Sequence, residues 1–188
     1  MYLTANAGAQ SQSNFATSMS AGPANESAQT VSFILTNTNN ALFSAQPAIN
    51  ASGTLTFTPA ENASGEATVT VTAQDTGGTA NGGVATSART FTLYVDTTAP
   101  GTPTEVSATG SNGSATVSFT APTNTGGDAI IGYTVISSPS GITAMGASSP
   151  ITVTGLTNGT AYTFTVTAEN SEYIGTASGA SSPVRRQE

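Results

Sequence analysis

The chain has 188 residues and a net charge of -7, with three cations against ten carboxylates and with no Cys, His or Trp. Without thiols and imidazoles it lacks the ligands of a Cys/His zinc site and the base that activates a Ser or Cys nucleophile. So few cations argue against nucleic acid as a partner, because its phosphates are neutralised by Lys and Arg. No apolar run reaches the 18 residues typical of a membrane-spanning helix, so we expect no membrane insertion.

The N-terminal arm, residues 1–13, consists mainly of small and amide residues that offer little to bury. Such a segment becomes ordered only when another surface holds it. In an extended conformation one face of the arm carries four apolar side chains: Leu3, Ala5, Ala7 and Ala9. This pattern permits strand addition to a sheet edge of the arm's own domain or of a neighbouring subunit. We hypothesise that the arm makes an assembly contact between subunits.

Strands are predicted in both halves of the chain, because hydroxyl and apolar residues alternate with a period of two. The alternation is carried by Thr, Val and Ile, which is typical of sheets with one solvated face. The clearest predicted strands are residues 31–33, 54–58, 67–73, 89–95, 115–119 and 162–168. In the fourth of these strands, Phe91, Leu93 and Val95 share one face. We therefore predict an all-β chain of two tandem antiparallel β-sandwiches, residues 14–96 and 104–184.

Residues 97–103 contain two prolines and a glycine, which can continue neither a helix nor a strand ladder. We predict that these residues form a Pro-rich linker between the sandwiches and that residues 185–188 form a tail. Tight turns are predicted at two Asn-Gly dipeptides, residues 112–113 and 158–159.

Two segments of the second half carry a family motif. Residues 115–122 are Ala-Thr-Val-Ser-Phe-Thr-Ala-Pro, and residues 156–166 follow the pattern Leu-x-x-Gly-x-x-Tyr-x-Phe-x-Val. They resemble the B strand and the E–F corner of the fibronectin type III domain, with Phe119 at the place of the usual Trp. The resemblance implies that Phe119 is the central core aromatic. It also implies that Tyr162 is a corner tyrosine whose hydroxyl bonds to the backbone near Leu156.

Short motifs in the first half are similar to those of a cadherin-like, immunoglobulin-type repeat of large bacterial surface proteins. They are Ser-Ala-Gly-Pro-Ala-Asn-Glu at 20–26, Gly-Thr-Leu-Thr-Phe-Thr-Pro at 53–59 and Val-Thr-Ala-Gln-Asp at 71–75. The resemblance implies three candidate calcium ligands: Glu26, Asp75 and Asp96. Calcium takes six to eight oxygen ligands, so the alternative is that no cofactor binds and that the loop carboxylates accept hydrogen bonds from loop amides.

Catalysis could rest only on a pair of carboxylates, as in glycoside hydrolysis. Glu61 and Glu66 flank one turn, and a second turn is flanked by Glu169 and Glu172. Charges at such turns usually serve solubility. We therefore predict no catalytic residues and no enzymatic activity.

Exposed tyrosines are the candidate ligand-binding residues, since an aromatic ring can stack on a sugar. The candidates are Tyr2, Tyr94 and Tyr173, for which core or interface packing is the other role. The expected function is that of a non-enzymatic structural or adhesive module pair of an extracellular bacterial surface protein or fibre. The alternatives are a self-assembling subunit of a filament, virion or tail fibre, and an accessory carbohydrate-binding module. The expected partners are protein neighbours or a glycan.

Overall fold

The computed structural model describes residues 1–20, 29–76 and 86–185. The chain divides into two compact units, Met1–Asp96 and Thr97–Glu188. The regular elements of the described residues are β-strands and one short 3-10 turn, Asn40–Leu42. The predicted all-β class is confirmed, and each unit contains two sheets.

The first unit has one sheet of four strands, in the order β1-β7-β6-β3, and one of three strands, in the order β2-β5-β4. All pairs are antiparallel except β1 with β7, which is parallel. The strands are β1 (Tyr2–Thr4), β2 (Gln10–Gln12), β3 (Val31–Asn37), β4 (Phe43–Ile49), β5 (Leu55–Pro59), β6 (Gly65–Asp75) and β7 (Thr86–Asp96).

Alternate side chains of the two sheets form the core of the first unit. In β7, Leu93 and Val95 are buried and Phe91 is half-buried against the same cluster, as the predicted shared face requires. The other fully buried large residues of this cluster are Leu42, Leu55 and Val69. Burial of each such side chain contributes about 1.5 to 3 kcal/mol to the free energy of folding. The apolar residues that alternate along the strands therefore hold the two sheets together.

The N-terminal arm lies in the sheets of its own unit. Its first part, β1, pairs with β7, and its second part, β2, pairs with β5. A turn at Ala5 and Asn6, where Asn6 has a φ of 61°, redirects the chain between them. Leu3 and Ala5 therefore pack on the core, whereas Ala7 and Ala9 are exposed. The predicted single apolar face is wrong, because it assumed one continuous extended segment.

The second unit has two sheets of three strands, in the orders β12-β9-β8 and β11-β10-β13. Its core draws on both sheets, and Val117, Val135 and Phe164 are among its fully buried side chains. The strands are β8 (Thr104–Ser111), β9 (Ser114–Thr120), β10 (Gly132–Ser138), β11 (Thr143–Gly146), β12 (Ile151–Thr154) and β13 (Thr163–Glu169). The predicted Asn-Gly turn at 112–113 joins β8 to β9, with Ser111 opposite Ser114.

Residues 97–103, predicted to be a linker, are bonded into the second unit. The Thr98 amide donates to the Gly126 carbonyl at 2.7 Å, and the Gly101 amide donates to the Asn124 carbonyl at 2.8 Å. A Cβ placed on Gly126 would lie 2.0 Å from the Thr98 carbonyl oxygen, so this close approach requires glycine. The segment thus belongs to the second unit, although its prolines exclude it from a ladder.

Residues 175–184 pair with the chain around β13 in an irregular way. Their Ser178 and Ser181 hydroxyls accept hydrogen bonds from the amides of Val166 and Phe164, at 2.9 and 3.1 Å. Backbone amides of Gly175, Ser178, Ser181 and Val184 donate to the carbonyls of Ala168, Val166, Phe164 and Tyr162, respectively. Bonded residues are therefore three apart in this segment and two apart in its partner. The Ser178 and Ser181 hydroxyls accept the hydrogen bonds that backbone carbonyls would accept in a regular ladder.

Candidate functional site

The predicted calcium ligands do not form one site in the described part of the chain. Asp75 ends β6 and Asp96 ends β7, and these strands are antiparallel over ten register pairs, from Gly65 opposite Val95 to Gln74 opposite Thr86. At about 3.4 Å per residue the two ends of the ladder, and with them the two carboxylates, lie about 37 Å apart, whereas calcium ligands share one ion at about 2.5 Å. Glu26 lies outside the described residues. Within the described residues no three acidic side chains are grouped for a metal ion.

The carboxylates of the second unit are engaged in loop contacts. Glu172 accepts a hydrogen bond from the Thr97 hydroxyl at 2.7 Å. Asp128 accepts one from the Ser171 hydroxyl and one from the Ala129 amide. These two donors, the Ser171 hydroxyl first, hold the pKa of Asp128 below its ordinary value. Asp128 therefore serves as an ionised loop acceptor, and its lowered pKa is opposite to the raised pKa that a general acid needs.

Tyr162 occupies the corner between β12 and β13. The Thr157 amide donates to its hydroxyl oxygen at 3.3 Å, next to Leu156 in the chain. Tyr162 is buried, and Leu156 packs on the core cluster of the second unit. Phe119 lies in the same cluster, with its ring centroid 4.8 Å from that of Tyr133. These contacts hold the corner and the core of the second unit together.

Asn170 is the main polar anchor of the loop after β13, and the sequence motifs did not reveal it. Its side-chain amide donates to the carbonyls of Thr98 and Thr125, at 2.8 and 3.1 Å. Its side-chain oxygen accepts from the amides of Glu172 and Tyr173, at 3.2 and 2.8 Å. All four hydrogen-bonding capacities of this buried amide are therefore satisfied. Asn170 joins three separate segments of the second unit.

Two of the candidate tyrosines form a pair on the outer face of the four-stranded sheet. Tyr2 of β1 lies opposite Tyr94 of β7 in the register, and their rings stack at a centroid distance of 4.6 Å and an angle of 11°. Tyr2 is 73% exposed. Tyr173, in the second unit, is also exposed. The described residues thus contain one preorganised aromatic surface and one isolated ring.

The terminal strands of the first unit pair directly and in parallel. The Tyr94 amide donates to the Met1 carbonyl at 2.9 Å, and the Ala5 amide donates to the Asp96 carbonyl at 2.8 Å. Between these bonds lie the register pairs of β1 and β7. In the second unit the first strand, β8, pairs with β9, whereas residues 175–184 bond to the chain around β13 in the other sheet. The first and last strands therefore pair with each other in the first unit, whereas in the second unit the first strand and the last segment pair with different neighbours.

Each unit matches one family model. Residues 3–92 match the family model of the bacterial Ig domain, and residues 101–184 match that of the fibronectin type III domain. Both families consist of modules that are typically non-catalytic and structural. No curated protein sequence matches this chain. Among the described residues no helix is long and apolar enough to cross a bilayer.

Solved structures that match this chain include a fragment of titin and an extracellular fragment of rat CD45. The titin fragment is 20% identical with a TM-score of 0.48, and the match covers 85% of this chain and 60% of the fragment. Domains d3–d4 of CD45 are 21% identical with a TM-score of 0.44, and the match covers 51% of this chain and 55% of the fragment. This chain thus covers less than two thirds of either fragment.

Proposed function

Because the chain carries a bacterial Ig domain followed by a fibronectin type III domain, we propose that it is a load-bearing structural module pair of an extracellular bacterial surface protein or fibre. Bacterial Ig domains are typical of surface proteins, which supports this localisation. The low content of charged residues, 7%, and the hydroxyl-rich outer faces of the strands fit a passive stalk. In this role the module pair would act as a spacer, and adhesion would depend on other binding sites that the stalk holds away from the cell surface.

The observation that carries this proposal is the parallel pairing of β1 with β7. The chain enters the first unit through β1 and leaves it through β7. A force that pulls the two ends apart therefore slides these parallel strands along each other. The hydrogen bonds between them, including those of Met1 with Tyr94 and of Ala5 with Asp96, are loaded together in shear. Bonds loaded together must break at once, which raises the barrier to unfolding.

The second unit supports a weaker mechanical role. Its first strand and its last segment belong to different sheets, so a force on the two ends does not load one shared set of hydrogen bonds. Bonds that do not share a load can break separately. The same chain is thus expected to contain one strong and one weaker mechanical element.

Single-molecule pulling on the full chain tests the proposal. We expect two unfolding events, with that of the first unit at the higher force. Ala5→Pro removes the amide that donates to Asp96 and should lower the force of this event alone. The second unit is the internal control, because Ala5 lies outside it. Equal forces for both units, or a strong event unchanged by Ala5→Pro, would contradict the load-bearing role.

Accessory glycan binding is the second candidate function, because Tyr2 is exposed and its ring stacks on that of Tyr94. The self-assembling subunit has no comparable support: the arm that was its expected connector pairs with β7 and β5 of its own unit.

A further inference from the structure

The tyrosine pair lies at the edge of the four-stranded sheet, with one ring face uncovered. β1 is the edge strand of this sheet. The ring distance of 4.6 Å between Tyr2 and Tyr94 is close to the spacing of neighbouring strands, about 4.8 Å, so the two rings stand upright on adjacent strands. Tyr94 covers one face of the Tyr2 ring. The other face looks beyond the edge of the sheet and accounts for the exposure of Tyr2.

Polar groups surround this ring. In a parallel pair alternate residues bond to the partner strand, and Met1 and Ala5 bond to β7. The backbone amide and carbonyl groups of Tyr2 and Thr4 therefore point away from β7, along the open edge. The next outward pair in the register is Thr4 with Asp96, both exposed, and Glu66 lies opposite Tyr94 on the other side.

We propose that Tyr2, Tyr94, Thr4 and Asp96 form a binding site for a neutral polysaccharide. A sugar ring presents a C–H face and a rim of hydroxyls. The C–H face would pack on the uncovered ring of Tyr2, and the hydroxyls would donate to the Asp96 carboxylate and bond to Thr4 and to the open backbone groups. The two neighbouring carboxylates, Asp96 and Glu66, and the net charge of -7 disfavour an anionic polysaccharide.

The edge is too short to favour a peptide as the ligand. An added strand needs a run of free backbone groups, but β1 has only three residues and ends at the turn where Asn6 adopts a φ of 61°. Within β1 only Tyr2 and Thr4 have backbone groups that point outward, and the distance between these two residues matches the length of one or two sugar rings. The geometry therefore points to a glycan. This site does not depend on the mechanical role proposed above.

Affinity electrophoresis of the full chain tests the site, with gels that contain hydroxyethylcellulose, xyloglucan, galactomannan or soluble starch, and polygalacturonate as the anionic control. We expect at least one neutral polymer to retard the protein and polygalacturonate not to. Tyr2→Ala should weaken the association about fivefold or more, the loss expected for one aromatic contact. Tyr2→Phe keeps the ring and should retain binding, and Asp96→Ala should weaken it.

Tyr173→Ala is the matched control, because it removes an exposed tyrosine from the second unit. Circular dichroism shows whether Tyr2→Ala keeps the first unit folded; if it does not, Tyr2→Leu removes the flat ring and retains an apolar side chain. The proposal is overturned if no neutral polymer retards the protein, if Tyr2→Ala or its replacement binds as wild type does, or if Tyr173→Ala loses binding equally. It is also overturned if light scattering shows that the Tyr2 variant changes only self-association, since the edge would then be a protein interface.

Discussion

Two polar side chains, those of Tyr162 and Asn170, hydrogen-bond the loops of the second unit. A sequence motif identifies the first of them and not the second. The resemblance to the fibronectin type III domain implies that Tyr162 is the corner tyrosine. The Thr157 amide, five residues away within the same motif, donates to its hydroxyl. Asn170 makes four hydrogen bonds, two of them to Thr98 and Thr125, which are distant in the sequence. No local pattern identifies a residue whose partners are brought together only by folding.

Asn170→Ala should therefore destabilise the second unit strongly. The substitution leaves two carbonyls and two amides without their partner inside a packed loop, which we expect to cost about 2 to 4 kcal/mol. Equilibrium denaturation followed by circular dichroism measures the loss. Ser182→Ala, at an exposed position of the same unit, is the control and should change the stability by less than about 1 kcal/mol. A variant at Asn170 within that same limit would show that the four bonds contribute little.

At the scale of the element, period-two alternation located six strands and missed others, which include β8 and β10 as well as short or irregular strands. β6 and β7 were predicted because each alternates over many residues. β4 was missed because two register shifts and Pro47 interrupt its alternation. β11 and β12 have only four residues each. The segment 175–184 has no period of two, since it contacts its partner at every third residue.

The hydroxyls of Ser178 and Ser181 should be required to hold that segment. Replacing both with Ala removes the acceptors of the Val166 and Phe164 amides, which belong to buried residues, and we expect a loss of about 2 kcal/mol or more. Hydrogen exchange should show faster exchange at these two amides than in the wild type. Ser182→Ala, on the exposed side of the segment, is the control. If the double variant exchanged as slowly as Ser182→Ala, water or a shifted backbone would be replacing the hydroxyls.

At the scale of the whole chain, composition and motifs predict two sandwiches. The family models of the bacterial Ig domain and the fibronectin type III domain match the two halves in that order. The place where one unit ends and the next begins is set by hydrogen bonds. Residues 97–103 looked like a linker, yet the compact division falls between Asp96 and Thr97. Prolines show that a segment is not a helix or a ladder, but they do not show that it is free.

A fragment of residues 97–188 should accordingly be more stable than one of residues 104–188. The shorter fragment loses the bonds of Thr98 and Gly101 to the loop at 124–126 and leaves Asn170 without one of its acceptors. We expect a difference of about 2 to 4 kcal/mol in the free energy of unfolding. Thermal and chemical denaturation of the two fragments side by side measures it. Equal free energies of unfolding would show that residues 97–103 do not stabilise the second unit and act as a linker.

The sequence by itself determined the class of fold and the main strands, because alternation, Asn-Gly turns and the tyrosine corner act between residues that are close in the chain. The tertiary structure alone decided where the arm lies, that Asp75 and Asp96 are far apart, and that Tyr2 stacks on Tyr94. Each of these depends on which strands become neighbours. Neighbours are chosen by the packing of a whole core and by the edges left open to hydrogen bonding, and these belong to no single segment.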